Sequence, residues 1–76
     1  MKKSLNDPKY EAFATYLKNA RTERGFTVRE VAVLLDENYQ IISKMENGER
    51  KVSVQEYVQY CEALKLDLLE GLNILK

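Results

Sequence analysis

The chain has 76 residues, close to the lower limit for a domain whose single hydrophobic core folds without metals or disulfides. The single cysteine excludes an intramolecular disulfide. Because the chain also has no histidine, we expect no metal site and no small-molecule cofactor. Twelve lysines and arginines balance twelve aspartates and glutamates, which neither supports nor excludes a nucleic-acid partner, because the potential of one face decides binding. No apolar run follows the basic start of the chain, so we expect no signal peptide, no membrane anchor and a cytoplasmic location.

The first predicted element is an amphipathic helix. We expect residues 1–7 to form a flexible tail and residues 8–76 a single domain. Asp7 and Pro8 mark the helix start, since an acidic N-cap followed by proline at the first helical position is favoured there. Gly25 ends the helix. Apolar residues at spacings of three and four predict one buried stripe: Phe13, Tyr16, Leu17 and Ala20.

Two short helices are predicted next. Thr27 and Glu30 form a capping box, in which each side chain accepts a backbone N–H group of the first turn, so the second helix begins at Thr27. This helix is apolar over most of its circumference, which is more than a small core needs. The chain must reverse direction at Asp36, and Asn38 is a good N-cap for a third helix over about residues 39–46. The two helices and the turn have the form of a helix-turn-helix.

The third predicted helix has two distinct faces. At about 100° per residue, Ile41, Ile42 and Met45 point towards the core. Four residues, here called the displayed face, point to the opposite side: Tyr39, Gln40, Ser43 and Lys44. On periodicity alone the displayed face is an ordinary solvated helix surface.

Two more helices complete the chain. Gly48 ends the third helix, and Ser53 and Glu56 form a second capping box at the start of the fourth. Asp67 and Glu70 repeat this start signal for a fifth helix, which is too apolar for a fully solvated tail. No strand signals occur, so the predicted fold is all-α with five helices. The predicted inner stripe of the fourth helix comprises Val54, Tyr57, Val58, Cys61 and Leu64.

From Tyr16 to Leu72 the sequence resembles the lambda-repressor and Cro-like helix-turn-helix domains of the Xre type. The residues that carry the resemblance are Leu17, Arg21, Gly25, Phe26, Thr27, Val31, Ala32, Leu35, the run from Ile42 to Gly48, Ala63, Leu64, Leu66 and Leu68. The resemblance implies a five-helix lambda-repressor-like fold, with the helix-turn-helix at helices 2 and 3. It also implies that the third helix lies in the DNA major groove.

The resemblance assigns roles to particular positions. It places the displayed face at base edges or neighbouring phosphates. Arg21 and Glu46 match a charged pair that joins the first helix to the end of the third in related domains, a structural role. Contacts to the DNA backbone, or electrostatic support for them, are implied at Thr27, Asn47, Arg50 and Lys51. For Arg50 and Lys51, a charged loop that keeps the domain soluble is an equally good explanation.

The sequence also departs from the family pattern. Val28 stands where many members have a glutamine that contacts a phosphate. Asp36 replaces the usual turn glycine, although aspartate tolerates the left-handed conformation better than most residues. Asp36 and Glu37 place two negative charges beside the start of the third helix, where they would repel phosphates. Val33 and Leu34 occupy positions that are usually polar, which favours a protein partner on this side.

We expect a sequence-specific DNA-binding transcriptional regulator, a repressor that binds double-stranded DNA as a homodimer. The apolar residues Leu69, Ile74 and Leu75 are the candidate dimer surface. The alternative is a protein-docking module of the same fold, such as an antitoxin or a phage-type regulator, which would bind its partner through Val33, Leu34 or the fifth helix. An enzyme is not expected, because the sequence offers no activated nucleophile, general base or glycine-rich phosphate loop.

Overall fold

A computed structural model describes residues 7–76. These residues form five α-helices and no strand, which confirms the predicted fold class. Of the predicted tail, residues 1–6 lie outside the described residues, and Asp7 caps the first helix by accepting the N–H group of Lys9 at 2.9 Å. No helix in the described part of the chain is both long and apolar enough to cross a membrane. The helices are α1 (Pro8–Glu23), α2 (Val28–Leu34), α3 (Tyr39–Glu46), α4 (Val54–Leu64) and α5 (Leu68–Leu75).

Two of the three capping boxes predicted from the sequence are present. Thr27 Oγ1 accepts the N–H group of Glu30 at 3.1 Å, and the Glu30 carboxylate accepts the N–H group of Thr27 at 2.7 Å. Ser53 and Glu56 exchange the equivalent bonds at the start of α4. A side-chain cap stabilises a helix start by about 0.5–2 kcal/mol, so local sequence fixes where α2 and α4 begin.

The start of α5 differs from its predicted capping box. Asp67 accepts the N–H group of Leu69 at 3.0 Å, as an N-cap does. Glu70, however, accepts the hydroxyl of Tyr16 on α1 at 2.9 Å and does not reach back to Asp67. A tertiary contact has therefore replaced the local one. Gly71 then brings α5 close to α1, because a Cβ there would lie 3.1 Å from the Phe13 ring.

The turn between α2 and α3 is formed by backbone hydrogen bonds. Asp36 has φ +53°, the left-handed conformation expected at this position. The next N–H group, that of Glu37, donates to the carbonyl of Ala32 at 2.9 Å. Asn38 then caps α3 by accepting the N–H group of Gln40 at 2.8 Å. These bonds set the direction in which α3 leaves α2.

One hydrophobic core lies between the helices. Its buried members are Tyr10, Phe13, Leu17, Val31, Ala32, Ile42, Met45, Tyr57, Tyr60, Cys61 and Leu64. The core includes most of the inward residues predicted for α1, α3 and α4, although Tyr16, Ile41 and Val58 are only half-buried. Burial raises the pKa of the Cys61 thiol, so this cysteine is a core residue without an activated thiolate.

Val54 was wrongly predicted to face inward. Its side chain is 82% exposed, although it lies in register with the buried stripe of α4. It is the first residue of α4, and no other helix of the described chain covers it there. Together with Leu68, Leu72 and Leu75 it lines an apolar groove bordered by α1, α4 and α5. Periodicity gives the direction of a side chain but not the extent of the neighbouring helices.

Candidate nucleic-acid interface

The displayed face of α3 points away from the core. Tyr39, Gln40 and Lys44 are exposed, and Ser43 is half-buried. On the opposite side of the same helix, Ile42 is buried. The structure therefore brings the four candidate base-contact residues together on one polar side of a helix whose other side is core.

A buried polar cluster fixes the last turn of α3. Arg21 Nε on α1 lies 2.8 Å from Glu46 Oε2 and 3.0 Å from Oε1. The Tyr60 hydroxyl on α4 lies 2.6 Å from Glu46 Oε2 and 3.0 Å from the carbonyl oxygen of Leu17, and its single hydrogen donates to the nearer, charged oxygen. Arg21 Nη1 also donates to the carbonyl of Phe26 at 2.8 Å, before α2. We call Arg21, Glu46 and Tyr60 the Glu46 cluster.

The protonation states in the Glu46 cluster favour its hydrogen bonds. The hydrogen bond to Glu46 raises the pKa of the Arg21 guanidinium. Burial raises the pKa of the Tyr60 hydroxyl, and its hydrogen bond to Glu46 raises that pKa further. Both groups therefore remain donors at neutral pH, and the carboxylate has a donor from each of two helices. The resemblance implied the pair of Arg21 and Glu46, but no local signal in the sequence indicates that Tyr60, on a third helix, joins it.

The first turn of α3 is held by an exposed contact that the sequence did not reveal. The guanidinium carbon of Arg29 lies 4.1 Å from the centre of the Tyr39 ring, within the range of a cation–π interaction. Arg29 is in the first turn of α2 and Tyr39 is the first residue of α3. Helical periodicity cannot predict such a pair, because a turn separates the two residues. The only sequence signal for this contact was that an arginine and an aromatic residue stand at the starts of two adjoining helices.

Negative charge lies beside the same end of α3. Asp36 and Glu37 are both exposed. The Glu37 carboxylate accepts the N–H group of Asn38 at 2.9 Å, which places it directly before the helix. The first turn of α3 therefore has two carboxylates and the Arg29 guanidinium around it.

Two candidate backbone contacts lie at helix ends. Thr27 caps α2, and its Oγ1 already accepts one hydrogen bond, so its hydroxyl hydrogen remains free to donate to a phosphate. Asn47 is exposed at the C-cap of α3. Within residues 7–76, a hydrogen bond donated from either side chain to a ligand would not replace an existing one.

The loop after α3 carries the other two candidates. Arg50 forms an ion pair with Glu56 at 3.0 Å, and their hydrogen bond holds the pKa of the Glu56 carboxyl below its usual value. Lys51 is exposed, with no carboxylate oxygen within 4.0 Å of its amine in residues 7–76. Tyr10 fixes this loop: its hydroxyl donates to the carbonyl of Arg50 at 2.9 Å and accepts the N–H group of Val52 at 2.7 Å. Within residues 7–76, the positive charge of Arg50 is thus already paired with a carboxylate, whereas that of Lys51 is available for a phosphate.

The candidate apolar surfaces lie on two helices. On α2, Val33 is 80% exposed and Leu34 is 54% exposed. On α5, Leu69 is 63% exposed and Leu75 is partly exposed. Ile74 was predicted to belong to the exposed dimer surface, but it is half-buried and packs against the core. Its side chain contributes to the fold of the single chain.

Comparisons with known proteins agree with this architecture. The structure is similar to that of the clp gene regulator ClgR from Corynebacterium glutamicum, with 27% identity, a TM-score of 0.80, and coverage of 87% of this chain and 86% of that chain. It is also similar to an XRE-family-like protein from Pseudomonas syringae pv. tomato, with 30% identity, a TM-score of 0.81, and coverage of 92% and 85%. The restriction-modification controller protein C.AhdI from Aeromonas hydrophila shares the fold, at 24% identity and a TM-score of 0.76 over 83% of this chain and 94% of that one.

The family follows from the sequence match as well as from the fold. No curated protein sequence matches the chain. The sequence profile of the helix-turn-helix family, however, matches residues 17–70, which extend from the middle of α1 into α5 and include the whole of α2 and α3. This match covers well over half of the chain, and the family is one of DNA-binding regulators, a type that is not normally enzymatic. The chain belongs to the Cro/C1-type helix-turn-helix family of DNA-binding transcriptional regulators.

Proposed function

We propose that this chain is a sequence-specific transcriptional repressor that binds double-stranded DNA as a homodimer and inserts α3 into the major groove. The observation that carries the proposal is the displayed face: four polar side chains share the exposed side of a helix whose other side is core. The major groove, about 12 Å wide, admits one α-helix. Because the Glu46 cluster fixes the last turn of α3, the displayed face keeps one orientation relative to α1 and α4.

Each residue of the displayed face has a base or backbone group that it can contact. The Gln40 amide can bind adenine through N6 and N7, and the Lys44 ammonium can donate to the O6 and N7 acceptors of guanine. The Tyr39 ring can contact a thymine methyl group or donate its hydroxyl to a phosphate, and Ser43 can donate or accept at either site. Thr27, Asn47, Arg50 and Lys51 are the proposed contacts with, or electrostatic support for, the DNA backbone.

Dimerisation supplies the length of DNA that one helix cannot read. A single recognition helix contacts only a few base pairs, whereas two helices about 34 Å apart meet successive turns of the same DNA face. Leu69 and Leu75 on α5 are the proposed contact, since a leucine that is 63% exposed still gains from burial. Sedimentation equilibrium tests this: the wild type should dimerise, and Leu69→Gln should shift it towards monomer. A wild-type chain that stays monomeric with and without DNA contradicts the homodimer.

Repression requires only that the bound protein occupies promoter DNA, and so no further surface is needed. A reporter gene with the selected site overlapping its promoter should lose expression when the chain is present. Increased expression from the same promoter would contradict repression and indicate activation.

Selection from a random DNA pool, followed by a salt titration on the selected duplex, tests the DNA-binding function. We expect a near-palindromic site and a steep fall of log K with log salt, since each neutralised phosphate adds about 0.9 to the slope. Weak binding with no selected sequence would contradict the proposal.

A protein-docking role is the second candidate, because two of the most exposed apolar side chains, Val33 and Leu34, are adjacent on α2. In this case the chain would act as an antitoxin or a phage-type regulator whose main ligand is another protein. The variant Val33→Gln/Leu34→Gln separates the two candidates. Unchanged DNA affinity and reporter repression favour the repressor, whereas loss of regulation with intact DNA binding favours docking.

A further inference from the structure

The interaction between Arg29 and Tyr39 lies at the edge of the proposed DNA-binding surface, between the first turns of α2 and α3. Arg29 itself is exposed. A cation–π contact on an exposed surface restricts an otherwise mobile arginine to one position. The position chosen here places a positive charge next to the first residue of the displayed face.

The nearby carboxylates do not neutralise this arginine. Glu30 accepts the N–H group of Thr27 at 2.7 Å, and Glu37 accepts the N–H group of Asn38 at 2.9 Å. Among residues 7–76, no carboxylate oxygen lies within 4.0 Å of the Arg29 guanidinium. The carboxylates of Glu30 and Glu37 are thus both engaged with backbone N–H groups at the starts of α2 and α3. The guanidinium keeps its charge for a ligand outside the chain.

The geometry of a guanidinium above an aromatic ring leaves its N–H groups available. The five N–H donors lie in the plane of the guanidinium. Within residues 7–76 none of those of Arg29 donates a hydrogen bond, while its central carbon lies over the Tyr39 ring. The donor edge of an arginine matches two oxygens of a phosphate. We propose that Arg29 contacts a DNA phosphate, with its guanidinium positioned by the Tyr39 ring. This proposal rests on the DNA-binding function proposed above.

The proposal also narrows the role of Tyr39. One face of its ring is occupied by Arg29, so the ring edge, the hydroxyl and the other face remain for DNA. Tyr39 thereby becomes a positioning residue for a backbone contact as well as a candidate base contact. The positive charge of Arg29 also opposes the repulsion that Asp36 and Glu37 exert on phosphates at this end of α3.

The test measures affinity for the selected duplex, by fluorescence anisotropy, over a range of salt concentrations. Arg29→Gln should weaken binding roughly tenfold, equally for selected and unrelated sequences, and lower the salt slope by about one unit. Arg29→Lys should keep the slope, because the charge remains. Tyr39→Phe should leave the Arg29 contact intact, because the ring remains, whereas Tyr39→Leu should remove the positioning.

A double-mutant cycle tests the positioning directly. Arg29→Gln should cost much less in the Tyr39→Leu background than in the wild type, since the two residues act together. Lys18→Gln is the matched control, because it removes one positive charge from an exposed position on α1. It should leave affinity and slope close to those of the wild type. The melting temperature of each variant checks that it is folded.

Two results would overturn the proposal. If Arg29→Gln keeps wild-type affinity and slope, or changes them no more than Lys18→Gln does, Arg29 is not a phosphate contact, and the proposed function still stands. If Arg29→Gln and Tyr39→Leu have independent, additive effects on affinity, Tyr39 does not position Arg29. Absence of any salt-dependent DNA binding by the wild type would reject the proposed function itself, and this inference with it.

Discussion

The two ends of α3 are held by different kinds of contact. At its last turn, Glu46 is buried and receives charged and neutral hydrogen bonds from Arg21 and Tyr60. At its first turn, Tyr39 is exposed and contacts Arg29 through a single ring face. One end is a fixed part of the fold, and the other can exchange water for DNA at little cost. Substitutions at the two ends should therefore affect different properties, which are stability at the last turn and DNA binding at the first.

The largest effect is expected for Glu46→Ala, which leaves the buried Arg21 guanidinium without its carboxylate. Removing one partner of a buried ion pair costs about 3–5 kcal/mol, so the free energy of unfolding in urea should fall by that amount. Glu49→Ala, at an exposed acidic position three residues later, is the control and should change stability by less than about 0.5 kcal/mol. A loss below about 1 kcal/mol for Glu46→Ala would show that the cluster does not hold the helix.

Ile42→Ala and Lys44→Ala together test which side of α3 faces the core. Ile42 is buried in the core, so its truncation should cost about 2–5 kcal/mol in the free energy of unfolding. Lys44→Ala, on the displayed face, should leave stability within about 0.5 kcal/mol of the wild type. If Ile42→Ala instead abolished DNA binding while stability stayed intact, the assignment of the two faces would be reversed.

Gln40→Ala should change recognition and not folding. Loss of a bidentate contact to a base costs about 1–3 kcal/mol of binding at the selected site and relaxes preference at one base pair. Competition with duplexes that vary at each position measures this. An equal loss for all sequences would mean that Gln40 contacts the backbone.

The smallest effect is expected for Asp36→Asn, which removes one negative charge beside α3. Asparagine also tolerates the left-handed conformation that Asp36 adopts, so stability should change little. A unit charge about 8 Å from a phosphate in water contributes about 0.5 kcal/mol, so affinity should rise roughly twofold for all sequences. This gain should disappear at about 1 M salt, where charges are screened within about 3 Å. A gain that persists at high salt would exclude electrostatic repulsion as its cause.

Local signals predicted most of the fold. The capping boxes at Thr27 and Ser53 and the N-cap at Asn38 depend on residues close in sequence, and the structure has all three. The left-handed turn at Asp36 was implied by the resemblance, and it is also present. The inward face of α3, with Ile42 buried, followed from helical angles alone. Such features are predictable because their physical causes lie within a few residues.

The features that could not be predicted depend on contacts between helices. Glu70 accepts a hydrogen bond from Tyr16 instead of capping α5, and the Tyr60 hydroxyl joins Glu46 although the residues belong to different helices. The exposure of Val54 depends on where its neighbouring helices end. Arg29 was missed for the same reason, since only the docking of α3 on α2 brings the Tyr39 ring beneath it.

The central claim, that α3 reads DNA with its displayed face, is tested most directly by nuclear magnetic resonance. The isotopically labelled chain would be titrated with the selected duplex. The claim predicts the largest shifts at the backbone amides of residues 39–44 and at the side-chain amide of Gln40, with small shifts at Val33 and Leu34. Shifts confined to Val33, Leu34 and α5, with residues 39–44 unchanged, would contradict it.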